Sequence, residues 1–458
     1  MPYSCKDMRQ LLQTTTDYAI RYLEGLETRP VAPSLEAISQ LAQFNEPLPE
    51  QPSEPEQILR LLDEVGSPAS MAMAGPRFFG FVTGGSLPVT LAANWLAGAW
   101  DQNCGLYRIT PATALLEQVA LRWLLDVMHL PAKCGGAFVT GATVANFTAL
   151  AAARHAVLER VGWDVEADGL FGAPPITVVV GEEVHPSLLK ALGLLGLGRN
   201  RVVKVPVDSQ GRMRPEAIPN LTSPAIICTQ VGNVNTGACD PVEAICQHAG
   251  ESSAWVHVDG AFGLWAAAAP SLSHLTAGME AADSWATDAH KWLNVPYDSG
   301  LAFVRNTSAL RAAMAVTAAY LPTINDRRNP SDFTPEFSRR ARGVEVWAAL
   351  RSLGRSGLVE LVERTCCHAR RFAEELQAAG YQILNQVVMN QVLVSFGDAE
   401  TTHRVIAQIQ ADGTCWCGST VWQGQTAMRI SVSSWATTDA DVEQSLAAML
   451  RIAEKCRI

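Results

Sequence analysis

The stretch "DSWATDAHKWLNVPYDSG", Asp283 to Gly300, sets a histidine and a lysine side by side, His290 and Lys291, directly after a short strand-like run. Small, apolar and aromatic residues surround the lysine and would partly strip water from its ammonium. Desolvation lowers an amine's pKa and makes it a usable nucleophile or Schiff-base former. Taken alone, the stretch favours an ordinary surface lysine, and the rest of the chain has to decide.

The chain's 458 residues are enough for two or three domains around a large core. At 48% hydrophobic and 17% charged it reads as a globular, rather apolar protein. A net charge of -10, with no lysine or arginine run to reverse it locally, argues against nucleic acid as a partner. The N-terminal residues lack the apolar segment of a secretory signal. No uninterrupted apolar stretch is long enough to span a bilayer, so no membrane role is expected. Eleven cysteines are scattered without CxxC, zinc or disulfide-framework spacing. Reduced thiols in a cytoplasmic protein, with no metal site, are the expectation.

Residues 1–75 read as helical and then loose, with the proline-rich connector "LPEQPSEPEQ" marking an arm or dimer-wrapping segment. Beyond it the pattern changes. "GGAFVTGATVANFTALAAARHAVLE" reads as an apolar strand, a glycine-containing turn and an alanine-rich helix, and "PPITVVVGEEVHPSLLKAL" repeats the scheme. "PAIICTQVGNVNTGACDPVEAICQHA" and "AWVHVDGAFGLWAA" follow suit. Continuous β-branched runs between helices predict an α/β fold, a mostly parallel sheet with helices on both faces, over residues 76–345. A long helical stretch, two strand runs ("VVMNQVLVSF" and "AMRISVS") and a last helix from about Asp439 predict a smaller α+β domain over 346–458.

In open α/β sheets ligands sit at the carboxyl ends of strands. Four such ends carry chemistry here. The turn "TGAT", Thr140 to Thr143, opens a helix and offers backbone amides and a hydroxyl to an anion. His185 follows "ITVVV", Asp259 follows "AWVHV", and Lys291 follows "SWAT". Each alone has an ordinary explanation: a helix cap, a surface histidine, a structural ion pair. Together they match one ligand bearing a phosphate, an aromatic ring, a basic ring nitrogen and an aldehyde, which is pyridoxal 5'-phosphate. Neither GxGxxG nor GxxxxGK[ST] is present to favour a dinucleotide or a nucleoside triphosphate.

From about Pro76 onward the chain resembles the group II pyridoxal-phosphate-dependent amino-acid decarboxylases, most specifically in "HVDGAFG" and the later "DAHKW". That resemblance implies the fold type I, aspartate-aminotransferase architecture and a homodimer with its active site at the subunit interface. Carried over by position, Lys291 would form the internal aldimine and Asp259 would pair with the pyridine nitrogen. His185 and Ala261 would sandwich the ring, and His290 with Gly141, Ala142 and Thr143 would hold the phosphate. Asn233 or Asn235 would contact the ring's phenolic oxygen or the substrate side. Tyr320, in "VTAAYLP", would be the proton donor after carbon dioxide leaves, and Arg340, in "SRRARGVEVW", a carboxylate or phosphate contact. Phe79 and Phe81, in "PRFFGFVTGG", would line the substrate pocket, with Trp95 nearby, and Arg340 or Arg429 would supply the cation an acidic substrate needs. The chain departs from many relatives at Val144-Ala145-Asn146 and in having Gly260 within "DGAFG".

The resemblance therefore implies α-decarboxylation of an L-amino acid to an amine and carbon dioxide, through a quinonoid intermediate. An aminotransferase or a carbon–carbon lyase on the same cofactor, and a catalytically silent protein on the same fold, are the alternatives. Tyr320 favours decarboxylation, and the retained Lys291, Asp259 and His185 disfavour a silent protein.

Overall fold

A computed structural model describes residues 5–316 and 327–456 of the chain. Seven strands build the main sheet: β1 (Gly135–Val139), β2 (Thr177–Gly181), β3 (Val203–Val205), β4 (Ala225–Gln230), β5 (Trp255–Asp259), β6 (Ser284–Asp288) and β7 (Gly300–Val304), in the order β1-β7-β6-β5-β4-β2-β3. Strands β2 to β6 pair in parallel, and β7 runs antiparallel between β1 and β6. The expected mostly parallel sheet is present. The reversed β7 was not visible in the sequence, because a buried strand is apolar in either direction.

Side-chain alternation explains why both faces are covered. Val178, Val180, Ile226, Cys228 and Trp255 pack on one side with the Ala142–Glu159 and Pro186–Leu194 helices. Val179, Ile227, Val256 and Val258 pack on the other with the Pro111–Val127, Val242–Ser252 and Gly343–Ala378 helices. Fully burying each such Val or Ile stabilises the fold by roughly 1.5–3 kcal/mol relative to exposure.

A second sheet, antiparallel, has the order β10-β11-β9-β8. Its strands are β8 (Gln382–Ile383), β9 (Gln391–Ser395), β10 (Gly418–Trp422) and β11 (Gln425–Ser431). It packs on the Ala399–Asp412 and Asp439–Cys456 helices around Val392, Val394, Met428 and Ile430. The Gly343–Ala378 helix joins the two units and kinks at Gly354, which takes φ 59°, a value glycine reaches at little cost. The boundary expected at 345/346 falls in this helix's first turn. The arm is tied down by buried Arg77, which donates to Glu27 O at 2.8 Å and Thr414 O at 2.9 Å and pairs with Asp441 at 3.0 Å.

Candidate active site

Parallel strands deliver their carboxyl ends to one edge of the sheet, and the chemistry collects there. Asp259 closes β5, 4% exposed. Its Oδ2 accepts from Asn146 Nδ2 at 3.2 Å and its Oδ1 from the Ala261 amide at 3.2 Å. Both donors are neutral, so burial still pushes the carboxyl pKa up, against the nearby His185 and Lys291. Asp288 closes β6, and its Oδ2 lies 3.0 Å from Lys291 Nζ. Its Oδ1 accepts the Ala142 amide at 2.6 Å. The turn Gly141 to Thr143, expected as an anion cup, opens the Ala142–Glu159 helix and has one of its amides capped by the chain's own carboxylate.

Gly141 leaves no spare room there. A Cβ on it would stand 3.3 Å from the His290 ring and 3.4 Å from Asp288 Oδ1, and one on Gly300 would strike Gly141 Cα at 2.4 Å. His290 Nδ1 accepts from the Ser299 amide at 3.2 Å, and burial keeps its pKa low. The neutral ring therefore carries its hydrogen on Nε2, which lies 3.5 Å from Asp288 Oδ1 and faces the cup. Tyr297 stacks on His290, with ring centroids 4.2 Å apart. Buried Asn294 anchors the turn after the lysine, donating to Trp292 O at 2.8 Å and Ser433 O at 3.0 Å and accepting from Trp435 N at 2.9 Å.

His185 caps the Pro186–Leu194 helix, its Nδ1 accepting from the Ser187 amide at 3.2 Å. Burial lowers its pKa; the negative charge of Asp259 opposes that, while Lys291 and Arg429 add to it. Residues from three separate strand ends and from β11 thus share one electrostatic environment. Among the described residues no carboxylate pairs with Arg429, whose hydrogen bond is a long one to Val234 O, 3.4 Å.

Several expected contacts have other partners. Asn233 folds its own turn, its Oδ1 accepting from the Asn235 and Thr236 amides and its Nδ2 donating to Gln230 Oε1. Asn235 Oδ1 accepts from Thr420 in the smaller unit at 2.9 Å. Phe79 is a core residue, 1% exposed and set edge-on to Phe372 at 5.1 Å, within a stretch buried from Gly75 to Gly80. Phe81 is 63% exposed and stacks on Trp416, three residues before Gly84. Gly84 presses on the Lys291 carbonyl, where a Cβ would sit 1.7 Å away. Arg340 is held by Glu345 at 2.8 Å, a buried acid that Asn94 also bonds. Tyr320 lies outside the described residues.

A family model described as the pyridoxal-dependent decarboxylase conserved domain matches residues 38–397. The chain belongs to the pyridoxal-dependent decarboxylases. It is 25% identical to an aromatic-L-amino-acid decarboxylase of Bacillus atrophaeus over 82% of this chain and 78% of that one. Tryptophan decarboxylase 1 of Oryza sativa subsp. japonica is also 25% identical, over 94% and 91%. In fold the chain is similar to the crystal structure of Oryza sativa TDC with PLP and tryptamine, TM-score 0.92 at 22% identity, and of mouse CSAD, 0.90 at 22%. The first alignment covers 99% of both chains, the second 98% of this chain and 99% of the other. The decarboxylase uses pyridoxal 5'-phosphate and acts on an amino acid. Its residues suit that group: buried Asp259, bonded only to neutral donors, would pair with a protonated ring nitrogen, and Lys291, its amine held by Asp288 and 19% exposed, would meet the aldehyde. The helix start with Thr143 and His290 Nε2–H offers donors to a phosphate.

Asn146, His257, Asp288 and Tyr297 were not singled out from the sequence. Strand alternation alone would have set His257 on the face of Asp259, two residues away. Nothing local points to Asn146, which reaches Asp259 across 113 positions.

Proposed function

We propose that this decarboxylase removes the carboxylate of an aromatic L-amino acid, with Lys291 carrying the cofactor and Asp259 pairing with its ring nitrogen. His185 covers one ring face and Ala261 the other, and His290 with the Gly141–Thr143 turn takes the phosphate. The cofactor supplies an electron sink for the bond to be broken. Asp259 keeps that sink effective by holding the ring nitrogen protonated. Arg429 receives the substrate carboxylate before it leaves. Lys291 Nζ and Tyr320 are the groups proposed to return a proton to the α-carbon. What supports the reading above all is that adjacent strand ends hold buried Asp259, bonded only to neutral donors, and Asp288, which positions Lys291 Nζ at 3.0 Å and the Ala142 amide at 2.6 Å.

The aromatic preference is supported by the exposed ring of Tyr297, stacked on His290 next to Lys291, and by the names of the two curated relatives. Borohydride reduction of the yellow holoenzyme, followed by peptide mapping, should place the adduct on Lys291. An amino-acid panel scored for carbon dioxide, amine and aldehyde then tests the reaction. One amine per carbon dioxide from aromatic substrates supports the proposal, and turnover confined to acidic substrates sinks its substrate half. Aldehyde in place of amine would ally the chain with the 4-hydroxyphenylacetaldehyde synthase of Rhodiola rosea, to which it is 25% identical.

The proposed assembly is a homodimer. Met8, Leu12, Ile20 and Leu23 on the Cys5–Glu24 helix, and Trp95, Leu96 and Trp100 on the Pro88–Trp100 helix, expose apolar surface that a second copy would cover. A cleft of about 1200 Å³ lined by Tyr18, Tyr22, Leu59, Trp95 and Trp435 lies between these two regions. Among the described residues no helix is long and apolar enough to cross a membrane. The cytoplasmic reading rests on the cysteine pattern.

A further inference from the structure

Behind Asp259 runs a line of buried side chains that the decarboxylase chemistry as described does not use. Trp255 Nε1 donates to Ser284 Oγ at 2.8 Å. Ser284 Oγ lies 2.9 Å from His257 Nδ1, and His257 Nε2 lies 2.9 Å from Asn146 Oδ1. Asn146 Nδ2 then donates to Asp259 Oδ2 at 3.2 Å. Trp255 is 1% exposed, and Ser284, His257 and Asn146 are each fully buried. The line starts on β5, crosses to β6, returns to β5, crosses to the Ala142–Glu159 helix, and ends at the catalytic edge.

Its direction is fixed by chemistry at the first residue. An indole N–H can only donate. Ser284 accepts that hydrogen and is left with its own hydroxyl hydrogen, for which His257 Nδ1 is the acceptor at hand. A His257 that accepts at Nδ1 carries its hydrogen on Nε2 and gives it to Asn146 Oδ1. The Asn146 amide is thereby oriented with its NH₂ toward Asp259, where it serves a carboxylate and not a carboxylic acid. The opposite direction would point a carboxyl hydrogen at Asn146 Oδ1 and leave the Ser284 hydroxyl hydrogen without an acceptor along the line. Burial alone holds His257 neutral, its pKa pushed down to about 3, as a relay of neutral groups requires.

We propose that Trp255, Ser284, His257 and Asn146 are positioning residues that together impose one hydrogen-bond polarity on Asp259, keeping it ionised and turned toward the cofactor ring. The proposal rests on Asp259 being the partner of the ring nitrogen. It assigns work to four residues that touch neither cofactor nor substrate.

Two readouts test it on the holoenzyme. Selective ¹⁵N-histidine labelling reports the His257 tautomer, and the Nε2–H form is expected; an Nδ1–H or doubly protonated ring overturns the proposal. Reconstitution with pyridoxal phosphate labelled with ¹⁵N in the ring reports protonation at the ring nitrogen. In the near-isosteric Asn146→Leu that signal should move toward the unprotonated value, and cofactor affinity should fall about tenfold, as for one lost hydrogen bond to a charged group. Ser284→Ala, three hydrogen bonds from Asp259, should mix the His257 tautomers and move the ring signal in the same direction by less. It also carries the test should Asn146→Leu not fold. A ring signal unmoved in these variants but moved in Asp259→Asn overturns the relay alone. A ring signal unmoved even in Asp259→Asn shows that the ring-nitrogen reading has failed, and the relay proposal falls with it.

Discussion

Asp288 reaches two ways from the end of β6: one carboxylate oxygen lies 3.0 Å from Lys291 Nζ, and the other accepts the Ala142 amide at 2.6 Å. One short side chain thereby holds both the amine proposed to carry the cofactor and the helix start proposed to take its phosphate. Asp288→Ala should cost the apoprotein about 1–2 kcal/mol, the usual loss when a helix start loses its cap. Asp288→Asn keeps an oxygen for Ala142 and should recover most of that, read as the shift in urea midpoint. Equal losses in both variants would show that the charge on Lys291, and not the cap, is what Asp288 contributes.

Asp259 offers a sharper separation between binding and chemistry. Asp259→Ala removes the proposed ring-nitrogen partner but leaves Lys291, His290 and the Gly141–Thr143 turn. It should lower kcat by orders of magnitude while the visible absorbance of bound cofactor persists. Full activity in this variant would remove Asp259 from the mechanism, and loss of cofactor without further effect would make it a binding residue only.

His257 gives the fold a proton-linked signature. Its pKa is about 3 in the folded chain and near 6.5 when unfolded. Between those values the unfolded chain binds one proton more, so this contribution is complete above pH 6.5 and is lost as pH falls. The stability gap between wild type and His257→Gln should therefore shrink by about 1.4 kcal/mol for each pH unit below 6.5. Urea titrations at pH 7, 6 and 5 decide it, and parallel pH profiles would show that His257 is not held neutral.

What the sequence disclosed, and what it hid, follows from the range of each signal. Strand ends are local, so Asp259, His185 and Lys291 were legible from the apolar runs before them. The two-residue alternation of β5 carried His257 as well, although a histidine inside an apolar run reads as filler until its partners are known. Asn146 and Asp288 act across the sheet, and no neighbouring residue announces a contact made after folding. Phe79 and Phe81 sit two apart in one aromatic run, yet one is core and the other exposed. Phe81 takes φ 53°, so the chain leaves its extended path at that residue, and alternation no longer tells which ring faces out. Asn233 or Asn235 was expected only from the family resemblance, and the turn itself uses the Asn233 side-chain oxygen.

The exposed rings of the Pro88–Trp100 helix bear on assembly. Trp95 and Leu96 are 43% and 56% exposed. If these rings lie on the proposed dimer face, charge there leaves an unpaired ion out of water, so Trp95→Asp with Leu96→Asp should shift the holoenzyme to monomer and abolish turnover. Light scattering at fixed concentration reads the mass. A variant that remains dimeric and active would move the interface elsewhere on the molecule.

Arg429 is the group proposed to hold the substrate carboxylate. Its guanidinium is half-buried, its charge bears on His185, and no carboxylate pairs with it among the described residues, so we propose it for the one carboxylate every amino-acid substrate carries. A charge-assisted bond of this kind is worth about 1.5–3 kcal/mol, or roughly 10–100-fold in binding. Arg429→Met should raise the Kd for amino acids by that factor. The amine product has no carboxylate, so its inhibition constant should change by no more than about twofold, within the ordinary scatter of a substitution that removes no contact. Parallel weakening of acid and amine would mean that Arg429 shapes the pocket without reading the carboxylate. A change confined to kcat would place it with the groups that act as the bond breaks.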